Sequence, residues 1–290
     1  YILISGRLEP GKIFFIDTEK GRIINDNEIK DEISNANPYG KWIKENMVEL
    51  DEIGSRLKAS LGFARDRQGS RRKEDADVLT QLKAFGYTRE DLKIIIQPML
   101  EIGKEPVGSM GNDTPHAILS KRPQLLYAYF KQLFAQVTNP AIDPIREKIV
   151  MSLESYIGPA KNLLDETPEH CHKLRVKQPI LTNEELEKIR AIKENSFKTK
   201  TISMLFPLTL TLSPIGGEGR VRGEFLKAID RVCKEAVSAI KDGYTFIILS
   251  DKGVDEKHSS LPALLAVGAA HQYLVKKSLR TQIGIIVESG

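Results

Sequence analysis

Cysteine, tryptophan, long apolar runs and a surplus of charge of one sign are all scarce in this chain. Only Cys171 and Cys233 occur among 290 residues, so no disulfide framework staples the fold, and their spacing is not that of a metal site. That usage points to a reducing compartment, and the cytoplasm is the expected location. No apolar stretch reaches the roughly 20 residues that a membrane-crossing helix needs, so no membrane partner is expected. The opening residues carry no signal-peptide pattern. Forty-three basic and 39 acidic side chains leave a formal charge of +4, too small and too dispersed to argue for nucleic acid. Neither a collagen nor a coiled-coil repeat is present.

What the chain does have is core material. Apolar types make up 41% of it, and a globular chain near this size buries roughly three quarters of its unfolded surface. Wholesale disorder is excluded. At roughly 150 residues per domain the length suggests about two domains. Both ends read as interior to a longer polypeptide. Tyr1–Ile4 has strand character beside Phe14–Asp17, and Ile285–Gly290 is a strand running into glycine, a junction that in parallel α/β folds leads to a helix.

The pattern along the chain predicts an α/β fold of mixed type. Residues 1–33 form a small β module, with a hairpin turn from Asp17 to Arg22 and Asp26 capping a short helix. Residues 34–75 read as a connector, and the basic stretch from Arg56 to Lys73 reads as a solvated face. A helical, loop-rich middle follows. A helix from Asp77 to Phe85 ends at Gly86, and Thr88 with Asp91 makes a capping pair ahead of an apolar stripe of Leu92, Ile95, Ile96, Met99 and Leu100. Pro123 opens a helix through Leu133, Asp143 caps another from about Ile145 to Leu153, and Thr182 or Asn183 caps a short one to Ile192.

From residue 197 onward strands and helices alternate. Thr199–Phe206, Phe246–Ser250 and a strand from Thr281 are separated by helices over Phe225–Ile240 and Leu261–Leu274, the pattern of parallel βαβ units. Phe246–Ser250 is apolar without alternation, as suits a strand covered on both faces. Leu208–Gly223, with its cluster of glycines, reads as a flexible insert-like loop. Its spacing matches neither a P-loop nor a dinucleotide fingerprint.

Candidate chemistry is thin. His170, Cys171 and His172 are adjacent, and adjacent helical positions point about 100° apart, so they do not converge on a metal. Cys233 reads as packing in a helix stripe. His271 reads as a partly buried, hydrogen-bonded residue, and no carboxylate lies at a telling offset from it or from His258. Arg146 reads as a surface arginine behind the Asp143 cap. Gly103–Pro115 is a long polar loop suited to an interface or a channel lining. Asp251, just past an apolar strand, occupies the carboxyl-end position where α/β sheets place ligands. No residue is assigned a catalytic, cofactor-binding or metal-ligating role.

Several long strings carry a resemblance. They are Gly6-Arg7-Leu8 with Pro10-Gly11; Asp17-Thr18 with Gly21-Arg22-Ile23; Gln81 through Asp91; Glu105-Pro106 with Ser109-Met110-Gly111 and Asp113-Thr114-Pro115; the run from Pro123 to Pro140; Ile142 to Glu147; and Gly243-Tyr244 running into Leu249-Ser250-Asp251. With these the chain resembles the large chain of glutamate synthase, which makes glutamate from glutamine and 2-oxoglutarate. The resemblance implies that residues 1–33 end a class II glutaminase domain, that 34–75 connect, and that 76–290 are most of a central domain cut short at its C-terminus. It implies a segment that links the glutaminase and FMN synthase sites and helps wall an ammonia tunnel, with the Ser109-Met110-Gly111 loop as the part of that wall and the contact to the remaining domains. FMN and an iron–sulfur cluster are implied for other parts of the enzyme and none for this segment. Ferredoxin or a small NADPH-oxidising subunit is the implied electron-donating partner. Alone, the segment is expected to be inactive. A non-catalytic scaffold derived from the central domain is the alternative. Two departures from the family pattern stand out, Asn112 where relatives carry Asp and the length of Leu208–Gly223.

Overall fold

A computed structural model describes residues 5–57, 71–107, 116–121, 124–130, 142–143, 145–192, 196–208 and 217–290, with the side chains of 54–57, 71–77 and 217–222 not described. Within them the chain is mixed α/β. It opens with a hairpin of β1 (Phe15–Asp17) and β2 (Arg22–Ile24), antiparallel with Ile16 opposite Ile23. Asp17 accepts from the Glu19 and Lys20 amides and so shapes the turn. Helix α1 (Asp26–Asn35) follows, but Asp26 does not cap it. Asn25 holds the cap position. The Asp26 carboxylate instead accepts from the Ile13 amide and pairs with Lys30 and Lys12, which hold its pKa down to about 2 against the opposing effect of desolvation.

The residues expected to connect contribute to packing. Helix α2 (Tyr39–Asn46), strand β3 (Val48–Glu49) and helix α3 (Leu50–Leu57) lead Leu50 and Ile53 into a core. Most of the basic stretch lies outside the described residues. Helix α4 (Arg71–Ala84) starts earlier than expected and stops at Gly86, whose φ of +73° suits glycine; a Cβ there would meet Leu125 Cδ1 at 2.6 Å. The Thr88–Asp91 box forms as read: Asp91 N–H donates to Thr88 Oγ1 at 3.1 Å and Thr88 N–H to Asp91 Oδ2 at 2.8 Å. It opens a wide π-type turn (Asp91–Ile96) that runs into α5 (Gln97–Ile102). The apolar stripe there is not covered: Leu100 is 84% exposed.

Among the described residues, the middle holds less helix than the pattern promised. Residues 124–130 form a single 3-10 turn (Leu126–Tyr129), and Pro123 and 131–141 lie outside the described residues. Asp143 does accept from the Ile145 and Arg146 amides, yet the segment behind it makes only turns, with Ile145 and Ile149 facing solvent. Capping alone cannot sustain a helix whose apolar face buries nothing. Strand β4 (Ser155–Ile157) then pairs antiparallel with β5 (Leu174–Val176), and β3 pairs parallel on the other side of β5. Helix α6 (Asn183–Ala191) carries the expected cap, with Thr182 and Glu185 satisfying each other's amides.

The C-terminal part holds the parallel sheet. Strands β6 (Thr199–Ser203), β8 (Phe246–Ser250) and β10 (Gly284–Glu288) run parallel in the order β10-β8-β6. The strand expected over Thr199–Phe206 breaks at Met204, and β7 (Leu205–Pro207) pairs instead with β9 (His258–Ser260). Helix α7 (Gly217–Lys241) begins inside the stretch read as a loop, and α8 (Ala263–Lys276) fills the second crossover. The last strand begins at Gly284, because Arg280–Gln282 is a 3-10 turn. The unbroken apolar run of β8 is explained by two cores. Ile247 and Leu249 pack with α7 and α8 through Val232, Ala236 and Ala270, whereas Phe246 and Ile248 face Leu174, Ile189 and Phe197. Each fully buried side chain of this size contributes about 1.5–3 kcal/mol. Leu226 departs from its expected inward stripe and is exposed.

Candidate functional site

The sheet ends in a polar edge. At the carboxyl ends of β8 and β10 the chain presents Ser250 and Asp251, then Glu288, Ser289 and Gly290. Asp251 is only 5% exposed. Its Oδ2 accepts from the Ser289 hydroxyl at 2.6 Å and its Oδ1 from the Gly290 amide at 3.2 Å. Burial pushes its pKa above the ordinary 3.8, and the nearby Glu288 charge pushes the same way, against those two hydrogen bonds.

Glu288 behaves oppositely. Burial works against its charge, but the Ser250 hydroxyl and the Arg190 guanidinium outweigh it and hold the pKa low. Arg190, from the last turn of α6, donates to Glu288 Oε2 at 3.0 Å, to Thr201 Oγ1 at 2.6 Å and to Glu187 Oε1 at 3.1 Å. One guanidinium fork thereby joins α6, β6 and β10. Sequence reading missed this network, since 98 residues separate Arg190 from Glu288 and no periodicity links them.

Two cavities meet at Asp251. One of about 460 Å³ is walled by Phe85, Tyr87, Asp91, Leu125 and Tyr127 on the helical side and by Ser259 and Ser260 on the other. A second of about 530 Å³ adds Asn183, Glu187, Lys252 and Glu288. The topological position expected of Asp251 thus coincides with a concave surface at the carboxyl edge of a parallel sheet, the usual ligand position in such sheets.

The other candidates lie elsewhere. His170 Nε2 faces the Asn162 carbonyl at 2.7 Å and its Nδ1 faces Thr167 Oγ1 at 3.0 Å. His172 stacks on Phe197 with centroids 4.1 Å apart, and Cys171 between them is half-buried. Cys233 is buried on α7, and burial raises its thiol pKa. His271 accepts from Arg280 Nε at 2.9 Å. His258 does have a carboxylate at a telling offset after all: Asp255, three residues earlier, lies 2.9 Å from its Nδ1. Arg146 is an exposed side chain 3.8 Å from Glu147. The Ser109-Met110-Gly111 loop and Asn112 lie outside the described residues. Among the described residues no three His, Cys, Asp or Glu side chains come together as metal ligands. An iron–sulfur cluster takes cysteine thiolates, and two cysteines in separate surroundings do not fit one.

The class defined by this architecture is an α/β segment with a parallel sheet, a helical flank and a polar carboxyl edge. The family described as Glutamate synthase central domain matches residues 80–290, and that described as Glutamine amidotransferases class-II matches residues 1–42. The chain belongs to the glutamate synthase central domain family. It is 40% identical over 289 residues to "Glutamate synthase [NADPH] large chain" of Bacillus subtilis (strain 168), covering 100% of this chain and 17% of that protein. It is 40% identical over 293 residues to "Glutamate synthase [NADH]" of Schizosaccharomyces pombe, covering 100% of this chain and 13% of the relative. With "Ferredoxin-dependent glutamate synthase, chloroplastic" of Spinacia oleracea it shares 36% over 290 residues, 99% of this chain and 16% of the relative. The chain therefore spans between 13 and 17% of the length of these relatives. No helix among the described residues is long and apolar enough to cross a membrane.

Proposed function

We propose that this chain is a coupling segment of a cytoplasmic glutamate synthase, joining a glutamine-hydrolysing site to the site where ammonia adds to 2-oxoglutarate. Residues 1–33 close the glutaminase domain, 34–75 connect, and 76–290 form central-domain structure. The Ser109-Met110-Gly111 loop contributes to the tunnel wall and to contacts with the remaining domains. The observation that supports this reading is the pair of family matches in one chain, a class-II glutamine amidotransferase match over residues 1–42 and a glutamate synthase central domain match over residues 80–290. The exposed apolar side chains of the middle, with Leu100, Val107, Ile145 and Leu164 each more than four-fifths exposed, also suit a piece that packs against other domains. FMN, an iron–sulfur cluster and the electron donor, ferredoxin or a small NADPH-oxidising subunit, belong to the full enzyme outside these residues.

Catalysis requires positioned groups at each site. The purified chain assayed alone is expected to show neither glutamine hydrolysis nor glutamate formation, and clear turnover in either overturns the reading. A chimera carrying this chain in place of the matching residues of the Bacillus subtilis relative is expected to convert glutamine to glutamate without releasing free ammonia. Ammonia released in step with glutamine hydrolysis by a folded chimera overturns the coupling role.

A further inference from the structure

Helix α2 begins at a polar joint between the two family-matched parts of the chain. Asn37, Tyr39 and Trp42 fall within residues 1–42, which match the class-II amidotransferase family, whereas Glu166 falls within residues 80–290, which match the central domain. A single oxygen joins them: Glu166 Oε2 accepts from Asn37 Nδ2 at 3.0 Å and from the Tyr39 hydroxyl. Asn37 Nδ2 also lies 3.3 Å from the Tyr39 hydroxyl oxygen, so the three groups close a triangle. The hydrogen bond to Glu166 raises the Tyr39 pKa above the ordinary 10.0, so the phenol stays a donor at neutral pH. The Tyr39 ring in turn meets the Trp42 ring edge-on, with 5.6 Å between centroids. Beside this joint α2 packs against a 3-10 turn, Pro168–Cys171.

The loop that carries Glu166 is itself pinned. His170 Nε2 faces the Asn162 carbonyl at 2.7 Å, so that nitrogen carries the proton and Nδ1 accepts from the Thr167 amide at 3.3 Å. Asn162 Nδ2 donates to Asp165 Oδ2 at 2.6 Å, and the Ala160 amide donates to the Thr281 carbonyl at 2.6 Å, just ahead of β10. Residues 160–170 thereby tie the approach to a parallel strand to Glu166, and His170 holds that loop in shape. A helix of eight residues is marginal by itself, so the course of α2 depends on what it docks against. We propose that Glu166 is a positioning residue, which through Tyr39 and Asn37 fixes α2, and with it the amidotransferase-type segment, at a set angle on the central-domain part. The joint stands apart from the coupling reading, but its effect on ammonia transfer rests on that reading.

Trp42 is the single tryptophan of the chain and reports the joint. In the full chain Glu166→Ala and Tyr39→Phe are each expected to red-shift its emission. Each is also expected to speed hydrogen exchange of the Trp42 and Met47 amides, which donate to the Pro38 and Ile43 carbonyls, by about threefold or more. The double variant is expected to match Glu166→Ala alone, because both changes remove the same contact. Glu166→Gln is expected to behave as the parent, since its amide oxygen can take both donors, and a side chain that only fills space would show no such difference from alanine. Should Glu166→Ala fail to fold, Tyr39→Phe must loosen α2 and Glu166→Gln must not. Unchanged emission and exchange in either loosening variant, additive effects in the double variant, or a glutamine variant as loose as alanine overturns the joint.

In the Bacillus subtilis chimera, Glu166→Ala is expected to release at least about twofold more free ammonia per glutamine hydrolysed than the parent chimera, with KM for glutamine unchanged and Glu166→Gln at the parent value. A parent chimera that already leaks ammonia defeats the coupling reading, and the joint is then decided by the measurements on the chain. A tight parent with an equally tight Glu166→Ala chimera defeats the positioning role.

Discussion

Arg190 and Glu288 meet at 3.0 Å across the joint between α6 and the end of β10. Both side chains are mostly covered, at 26% and 18% exposure, so water screens the pair less than it screens the surface ion pairs of the chain. Removing one partner leaves the other poorly compensated. Glu288→Gln is expected to lower unfolding stability by about 1–3 kcal/mol, the usual worth of a charge-assisted hydrogen bond. The sign with pH follows from the lowered pKa of Glu288. Its contribution is present above the ordinary 4.5 and is lost as pH falls through the lower folded value. Urea midpoints of parent and variant should therefore converge in acid, and a deficit that stays constant there would count against this account.

A second test concerns the contact between the two sheets. Gly284 opens β10 where it passes the end of β4, and a Cβ there would sit 2.9 Å from Ile157 Cγ2, 3.1 Å from Phe246 Cδ1 and 3.2 Å from the Gly158 amide nitrogen. The last of these is backbone and cannot rotate away. Gly284→Ala is expected to cost about 1–3 kcal/mol by overpacking, despite the better strand propensity of alanine. Chemical denaturation measures it, and a neutral or stabilised variant would show that β4 and β10 are not held this closely.

How much of this was legible in the sequence depends on whether the cause is local. The Thr88–Asp91 and Thr182–Glu185 boxes were readable because donor and acceptor lie three residues apart. The β8 run was readable because covering both faces of a strand removes alternation. The expected helix behind Asp143 failed although its cap formed, since Ile145 and Ile149 find nothing to pack on among the described residues. The expected loop at Gly217–Gly223 failed the other way. A glycine in a helix costs only about 1 kcal/mol, and the well-packed second half of α7, with Val232, Ala236 and Ala239 fully buried, anchors the helix that runs through them. Asp251 was placed correctly from topology, whereas the walls of its cavity come from Phe85, Tyr87 and Tyr127, more than a hundred residues away, which no local pattern connects to it.

Phe197 is the third test. It is fully buried, stacks on His172 at 4.1 Å and lies 5.2 Å from the Phe246 ring, so it joins the β5 side of the molecule to the parallel sheet. Phe197→Ala removes a ring from the middle of that core and is expected to cost about 3–5 kcal/mol. Phe197→Leu, which keeps most of the volume, should cost distinctly less. If the two variants are equally stable by urea denaturation, the ring is not packed as described.

Asp251 provides a fourth test, with the opposite pH sign from Glu288 at the same edge of the sheet. Burial raises its folded pKa above 3.8, so between that value and the raised one the native chain holds more protons than the unfolded chain. Stability attributable to this group then falls as pH rises through the window, and the cost of the buried charge persists above it. Asparagine at this position carries no such cost and can still accept the Gly290 amide. Asp251→Asn should accordingly gain on the parent as pH rises from the acid range to neutrality, whatever its absolute stability. Urea midpoints of the two proteins across that range decide the matter: a parent that gains on the variant with rising pH would mean that the Asp251 carboxylate is favoured, not penalised, where it lies.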